Sequence, residues 1–388
     1  MHVYGDMQVK QAAVANVYES AADIAEKIVV EELSDQWCPA LPSISNLSRA
    51  GNRYRRVDRP THPTNLSFKL QQSRVPDGFY QADITSGSSR HLMFATDCML
   101  KLLSKAVTWY MDGTFKVVKA PFMQLFSIHA FIRKSGEMKQ LPLCFIIMSS
   151  RRRCDYEAVL KVLYDKLPRP PAVEKVVTDF EKPLWQAVAN VMHVKHRGCA
   201  FHWLQTVRRR MRRVPHLSAR YSRNQYDRHL LRQVMALPYL PANKIADEFS
   251  LLQTQLEDRG FRELTVYIQN TWIASRLWPP RAWSVFNQHI RTNNDCEGWH
   301  NRLNQKAKGS GLNLYLLIQL LYMEAKIAAI NVRLLSDDKA RRLQSKKTKT
   351  REARIQKYWD QFARGRRTAG QLLKSCATLH LPTFVDEQ

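Results

Sequence analysis

Three acidic residues stand at positions where a catalytic carboxylate could be held. Asp112 interrupts the β-rich run TWYMDGTFKVV, Asp179 follows the short apolar run VEKVV, and Glu297 lies in the segment NNDCEGWHN. Carboxylates that converge in a partly buried site repel one another unless a cation lies among them. Mg²⁺ prefers such oxygen ligands, and two of these ions can activate a nucleophile and stabilise the leaving oxygen at a phosphodiester. The residue types therefore indicate a metal-dependent phosphodiester site if the fold brings the three positions together.

Each acid also has an ordinary structural interpretation. An Asp-Gly pair between two apolar runs, as at Asp112, is typical of a type I′ hairpin turn. Asp179 precedes Pro183, as an N-cap precedes a first-turn proline. The interval from Asn294 to Glu297 fits a capping box. These interpretations stay open, because each acid alone is a weak signal.

Two neighbouring acids compete for the same roles. Asp295 lies two residues before Glu297, so on one helix the two side chains point to different faces, and we favour Glu297 as the functional acid. Glu181, two residues after Asp179, is interpreted as a first-turn helix charge.

The elements that would position these acids are predicted from hydrophobic periodicity. HLMFATDCMLKLLSKA suits a helix, and VTWYMDGTFKVV, FMQLFSIHAFIR and LPLCFIIMSS predict three consecutive antiparallel strands. DYEAVLKVLYDKL, AVEKVVTDF, PLWQAVANVM and KHRGCAF then predict helix, strand, helix and strand. The predicted fold is α/β, and its order βββαβαβ is that of a ribonuclease H-like domain. Such a sheet would bring the first strand, the end of the fourth strand and a later helix together.

The rest of the chain is predicted to be helical. Two helices are separated at Pro238 and Pro241, and the run LNLYLLIQLLYMEAKIAAINVRLL gives a later helix with a long apolar face. We therefore divide the chain into a helical N-terminal segment and Pro/Arg-rich linker at 1–89, the first part of the core at 90–206, a helical insertion at 207–290, closing helices that carry the last acid at 291–335, and a basic helical tail at 336–388.

Several motifs occur in a fixed order between about Arg90 and Leu335, namely WYMDGTFKV, FMQLFSIHA, VVTDFEKPLWQAV, GCAFHWLQ and RTNNDCEGWHNRLN. In these motifs the chain resembles the transposases of Mutator-like elements, in the form often found downstream of a FLYWCH-type zinc finger. The resemblance implies a DDE triad of Asp112, Asp179 and Glu297 on a ribonuclease H-like fold with an all-helical insertion. It implies two Mg²⁺ or Mn²⁺ ions held by these acids and double-stranded DNA as the partner. It also implies hydrolysis at an element end, strand transfer to target DNA, a nuclear location and, as a hypothesis, a homo-oligomer that pairs two DNA ends.

Cys199 and His202 form a C-x-x-H that resembles a motif of the same family. A structural zinc site is one interpretation, because His193, His196, Cys199 and His202 repeat at every third residue. The segment is predicted to leave a strand and enter a helix, which would splay these side chains. We therefore expect Cys199 to pack and His202 to contact the active site or DNA.

Composition indicates a polyanionic partner. The formal net charge is +26 and the pI is about 10.0, as expected for a protein that binds nucleic acid. Five arginines that follow the C-x-x-H are expected to contact DNA phosphates, with a solvated helix face as the alternative. They are Arg208, Arg209, Arg210, Arg212 and Arg213. The tail run ARRLQSKKTKTREAR could be a solvated helix, a DNA-backbone arm or a nuclear import signal.

The tryptophans and cysteines of the sequence are best explained by structural roles. We expect four tryptophans to lie in the core, with stacking on nucleic-acid bases as the alternative role. They are Trp203, Trp272, Trp278 and Trp283. The seven cysteines never form C-x-x-C, which favours a reducing compartment. The N-terminus lacks the pattern of a signal peptide, and we expect no membrane-spanning helix.

Two other functions remain open. A domesticated, non-catalytic protein that binds DNA or regulates transcription could keep the same fold. A ribonuclease H-like nuclease acting on RNA would explain the charge and the acids but not the motifs NNDCEGWHN and GCAFHWLQ. No cysteine precedes Cys38, so we do not expect the family's N-terminal finger within this sequence, and how transposon ends would be recognised is left open.

Overall fold

A seven-stranded mixed sheet lies at the centre of the fold. The computed structural model describes residues 2–16, 19–33, 42–56, 60–134, 137–213, 215–288, 290, 294–307, 311–336 and 346–379. The strands are β1 (Tyr80–Ser86), β2 (Ser89–Phe94), β3 (Thr108–Thr114), β4 (Gln124–Lys134), β5 (Glu137–Met148), β6 (Lys175–Thr178) and β7 (Lys195–Gly198). Their spatial order is β1-β2-β5-β4-β3-β6-β7, and all pairs are antiparallel except β3 with β6 and β6 with β7. The fold is therefore α/β with a mixed sheet.

Helices precede, connect and follow these strands. They are α1 (His2–Ala15), α2 (Ala21–Leu33), α3 (Ile44–Tyr54), α4 (Asp97–Lys105), α5 (Arg153–Lys166), α6 (Lys182–Val191), α7 (Ala200–Arg212), α8 (Pro215–Arg223), α9 (Gln225–Ala236), α10 (Ala242–Glu257), α11 (Arg262–Ile268), α12 (Pro280–Trp283), α13 (Asn294–Lys306), α14 (Leu314–Ser336), α15 (Lys346–Ala363) and α16 (Ala369–Leu379). Short 3₁₀ turns occupy Gln72–Arg74 and Leu237–Tyr239, and a π-helical turn spans Gln269–Ile273.

The predicted order βββαβαβ is present from β3 to β7, with α5 between β5 and β6 and α6 between β6 and β7. Parallel neighbours need a crossover, and α6 supplies it between β6 and β7. Because β6 lies parallel to β3 in the sheet, the carboxyl end of β6 is placed beside the middle of β3.

An additional hairpin extends the sheet at one edge, and here the sequence-based prediction was wrong. Residues 91–94 were predicted to begin a helix, but they belong to β2, which pairs with β1 and β5. The turn between β1 and β2 contains Gly87, whose φ of 59° is easily adopted by glycine. A short apolar run such as HLMFA fits the periodicity of a helix and that of a strand equally well, which explains the error. The division predicted at 89/90 falls inside this hairpin.

Apolar strand residues form the main hydrophobic core. β5 is buried at every position from Leu141 to Met148, as expected for a central strand covered on both faces. Helices α4 and α14 contact β4 and β5. Helix α5 is fixed to the sheet by aromatic pairs, since Tyr164 lies edge-on to Trp109 at 5.9 Å.

Helix α14 is long and apolar enough to cross a membrane by length and composition alone, with a mean hydropathy of 1.3 over its best window. Its residues Leu317, Ile318 and Leu321 are buried in the main core. Its residue Glu324 is also buried, and it accepts hydrogen bonds from α13. These contacts favour a core helix.

A second hydrophobic core joins the predicted insertion to the C-terminal tail. The predicted helix break at Pro238 and Pro241 separates α9 from α10 within this core. α15 and α16 pack into the same core, so the part of the tail that they form is not a free arm. Their buried residues are Ile355, Trp359, Leu372, Leu373, Cys376 and Ala377. The beginning of the basic run, at 337–345, lies outside the described residues.

Helices α1 to α3 pack against one another around a small cluster formed by Val9, Ala25 and Leu47. The linker predicted after α2 is described only in part, because 34–41 and 57–59 lie outside the described residues.

Phe180, next to Asp179, inserts into the helical core. Its ring lies edge-on to Trp272 at 4.5 Å and to Trp278 at 6.0 Å. Trp203 of α7 stacks on Trp283 at 4.4 Å. Trp203, Trp272 and Trp283 are almost fully buried, and Trp278 packs against the same cluster, which confirms the core role predicted for the four tryptophans.

The position of the Phe180 ring predicts that Gly198→Ala destabilises the protein. A Cβ at Gly198 would lie 2.2 Å from a ring carbon of Phe180, so the variant is expected to lose about 1–3 kcal/mol of unfolding free energy through overpacking. Urea denaturation measures this loss. Gly298→Ala in α13 is the matched control, because nothing lies within 4 Å of its added Cβ and helix propensity favours alanine by up to about 1 kcal/mol. Equal effects of the two substitutions would contradict the packing argument.

Candidate metal centre

Asp112 and Asp179 are brought side by side by the parallel pairing of β3 and β6. Tyr110 is in register with Val177, and the two strands run in the same direction. Two residues later in each segment, Asp112 therefore lies beside Asp179. Asp112 is inside β3 and pairs with Ser127 of β4, so the hairpin-turn interpretation is wrong. The strand therefore buries a carboxylate in the middle of the sheet, where its exposure is 6%.

Asp179 is also not a helix cap, because the N-cap of α6 is Glu181. One carboxylate oxygen of Asp179 accepts a hydrogen bond from the backbone N–H of Glu181 at 3.3 Å. The capping interpretation of Asp179 is thus wrong, and its side chain is held in the loop that joins β6 to α6.

Glu297 reaches the same place from the first turn of α13, where its carboxylate lies 2.9 Å from Nε2 of His202 on α7. Metal-ligating atoms of Asp112, His202 and Glu297 all lie within 4.8 Å of one another. These three side chains form a group that could hold a metal ion. The chain thus brings together residues from β3, α7 and α13 that are far apart in sequence.

The charges of this group are unequal. Burial raises the pKa of Asp112 to about 7, with His202 opposing the shift and the neighbouring Asp179 and Glu297 adding to it. Burial likewise raises the pKa of Asp179, against an opposing effect of His202. The hydrogen bond from His202 lowers the pKa of Glu297. In the metal-free site, burial thus disfavours the charged forms of Asp112 and Asp179, whereas His202 favours the charged form of Glu297.

His202 supplies the positive charge that the metal-free site contains. Burial alone would lower its pKa, but hydrogen bonds with Cys199 and Glu297 and the charge of Asp112 hold the pKa well above the ordinary value. One oxygen of Asp112, Oδ2, is buried without a hydrogen-bond partner, although Nδ1 of His300 lies 3.5 Å away. A buried acceptor without a donor, next to two further carboxylates, suits a hard cation with oxygen ligands.

His300 is a site residue that sequence reasoning missed. It follows Glu297 by three residues and therefore lies on the same face of α13, a spacing that could have revealed it. Its Nε2 lies 3.1 Å from Oγ of Ser127, which also contacts His129 at 2.9 Å. Burial lowers the pKa of His300 to about 4, so the imidazole is neutral at pH 7.

Glu181 does not act as the first-turn helix charge that was predicted. Tyr156 donates a hydrogen bond to it at 3.2 Å, and Arg151 lies 3.8 Å from its carboxylate. Burial, followed by the charge of Asp179, raises the pKa of Glu181 to about 7. This fourth acid therefore borders the site, next to Asp179.

The C-x-x-H contributes one residue to the metal-binding group. His202 belongs to it, as expected, while Cys199 is buried at the N-cap of α7. His196 stacks on Trp185 at 3.7 Å, and His193 is exposed. Within the part of the chain that the structure describes, His193, His196, Cys199 and His202 do not form a metal-binding cluster.

The five arginines predicted to contact DNA do not form a single surface of α7. They are Arg208, Arg209, Arg210, Arg212 and Arg213. Arg209 follows His202 by two helical turns, and its charge helps to lower the pKa of Glu297. Arg210 instead forms an ion pair with Glu263 at 2.7 Å. Arg209 is thus one member of this run whose charge acts on the site.

Glu324 fixes α13, and with it Glu297 and His300. This buried residue of α14 accepts hydrogen bonds from Trp299 at 2.7 Å, Arg302 at 2.9 Å and Lys306 at 2.5 Å. Asp295 lines a cavity of about 380 Å³ with Trp299, Arg302 and Glu324, and Glu297 is not among the residues that line it. The preference for Glu297 over Asp295 agrees with this arrangement.

No family model matches this chain, and no curated protein is detectably similar to it.

The raised pKa of Asp112 predicts that Asp112→Asn stabilises the metal-free protein, more at pH 8 than at pH 5. The folded pKa is about 7 against an ordinary value of 3.8, so the folded chain binds this proton more tightly than the unfolded chain. Stability is therefore lost as pH rises from about 4 to 7, by at most about 4 kcal/mol, and an asparagine removes this loss. Urea denaturation in EDTA at the two pH values measures it.

Asp295→Asn is the matched control, because Asp295 faces the neighbouring cavity and not the acidic group. An Asp112→Asn gain that is the same at pH 5 and pH 8 would contradict the assignment of this buried charge.

Proposed function

We propose that the chain is the catalytic core of a Mutator-like transposase, or of a protein derived from one, which cleaves and joins DNA strands with Mg²⁺ or Mn²⁺. The observation that carries the proposal is the approach of Asp112, His202 and Glu297 to within 4.8 Å, with Asp179 directly after the adjacent parallel strand. The three acids are those that the family motifs select. The order βββαβαβ with a following helical part supports a ribonuclease H-like identity.

The acids are suited to a hard divalent cation. Asp112, Asp179 and Glu297 would hold it, and a bound pair of such ions would activate a water or 3′ hydroxyl and stabilise the leaving oxygen. His202 orients Glu297 through their 2.9 Å contact. His300 and Ser127 fix the far side of Asp112, because the Ser127 hydroxyl lies 3.4 Å from the Asp112 backbone carbonyl.

Double-stranded DNA is the proposed substrate. The net charge of +26 favours a polyanion, and Arg151 and Arg209 place positive charge beside the acidic group. A nuclear location and a homo-oligomer that pairs two DNA ends belong to the same proposal. Sedimentation of the protein with paired-end DNA tests the oligomer, and monomers under all conditions would contradict it.

The catalytic prediction concerns nicking of labelled duplex DNA. Asp112→Asn, Asp179→Asn and Glu297→Gln are each expected to reduce the rate at least about 10²-fold, because each removes a charge that stabilises the transition state through the metal. Nicking and strand transfer are measured in Mg²⁺, Mn²⁺ and EDTA. Asp295→Asn should keep the activity of the unchanged protein.

The same assay separates the alternatives. Salt-sensitive DNA binding without cleavage in any metal would favour the domesticated, non-catalytic protein. Cleavage of RNA in preference to DNA would favour the nuclease that acts on RNA. Cleavage that survives all three substitutions would overturn the assignment of the site.

A further inference from the structure

Helix α3 presents a polar, basic face that the main site does not use. Leu47, Gly51 and Arg55 recur at intervals of four residues and are buried. The opposite face is exposed, basic and free of acids. It consists of Ser45, Asn46, Arg49, Asn52, Arg53 and Arg56, the last just beyond the end of the helix.

Contacts on the buried side fix the orientation of this face. A Cβ at Gly51 would lie 3.2 Å from Val9 and 3.3 Å from Ala13, so α3 packs closely against α1. The buried guanidinium of Arg55 donates a 3.3 Å hydrogen bond to the carbonyl of Asn16, which follows α1. It also donates one to Asn52 at 2.8 Å. The exposed face is thus presented by a helix that is held at both its middle and its end.

Charge is distributed unevenly over the three helices. Exposed Glu26 and Glu31 lie on α2, whereas the stretch from 44 to 56 contains four arginines and no acid. An α-helix fits the major groove of duplex DNA. There arginine can recognise guanine, and asparagine can recognise adenine, through paired hydrogen bonds. Arg49 already holds Asn46 at 2.9 Å, which fixes two such groups on one side of the helix.

We propose that α3 is a DNA-reading helix, whose Arg49 and Arg53 contact base edges in the major groove while Arg56 contacts the phosphate backbone. The occupant is duplex DNA, because arginine side chains contact phosphates and pair with guanine edges in the major groove, and Asn46 beside Arg49 offers an amide that can pair with adenine. The proposal does not depend on cleavage. A protein that lacks catalytic activity would still bind DNA through this helix.

The test is selection of bound duplexes from a randomised pool by the full chain, followed by fluorescence anisotropy on the enriched sequence. The unchanged protein is expected to enrich one motif. Arg49→Ala with Arg53→Ala should lose that motif and bind the enriched duplex at least about tenfold more weakly. Arg364→Ala with Arg366→Ala removes the same charge from exposed positions elsewhere and should keep the motif.

A second variant separates base reading from charge alone. Arg49→Lys with Arg53→Lys keeps the charge but loses the paired hydrogen bonds of the guanidinium, so it should retain salt-dependent binding while losing the motif. Thermal unfolding checks that each variant is folded. If the alanine variant is unfolded, the lysine variant alone provides the test of base reading. Enrichment of no motif, the same motif in all variants, or preference for RNA would overturn the proposal. Asp112→Asn should leave the selected motif unchanged, so a failure of catalysis and a failure of this proposal give different results.

Discussion

The burial of two neighbouring carboxylates, Asp112 on β3 and Asp179 directly after β6, is the constraint on which the rest of the site depends. Asp112 and Asp179 lie beside each other because β3 and β6 are parallel, and burial raises the pKa of both. Such an arrangement is stable only when positive charge reaches it from outside the sheet. Helix α7 brings positive charge through His202, whereas α13 adds a third acid, Glu297, which pairs with His202. The site is thus assembled from distant segments.

Two anchors give those helices their positions. α7, which carries His202, is fixed by Trp203 in the tryptophan cluster that also holds Phe180 beside Asp179. α13, which carries Glu297 and His300, is fixed by the buried carboxylate of Glu324. Each anchor lies within a few residues of a functional side chain. Packing around the two anchors therefore sets the distances between His202, Glu297 and His300.

The sequence predicted the strands that carry the acids because each strand has a distinct period and a clear turn after it. The meeting of Asp112, Asp179 and Glu297 was expected because a ribonuclease H-like sheet would bring their elements together. The 2.9 Å contact of His202 with Glu297 is a property of the tertiary fold that no local pattern contains. The β1–β2 hairpin was missed because its second strand is a short, continuous apolar run, which fits a buried helix as well as a buried strand. The inclusion of α15 and α16 in the helical core was missed because a basic composition hides the few apolar residues that pack, such as Ile355 and Trp359. The spacing from Glu297 could have revealed His300, whereas the contacts of Glu181 with Tyr156 and Arg151 join different elements and depend on tertiary structure.

Other buried acids of the same chain show what an ordinary structural carboxylate requires. Asp227 is paired with Arg220 and Arg259, and Glu324 with Arg302 and Lys306. Burial would raise the pKa of Asp155, yet hydrogen bonds from Arg152 and Ser150 lower it to about 2. Asp112 has no such guanidinium or ammonium partner among the contacts described, and its Oδ2 is without a hydrogen bond. Since the fold satisfies its structural acids so completely, the unsatisfied charge at Asp112 is better explained by a ligand that binds there than by incomplete packing.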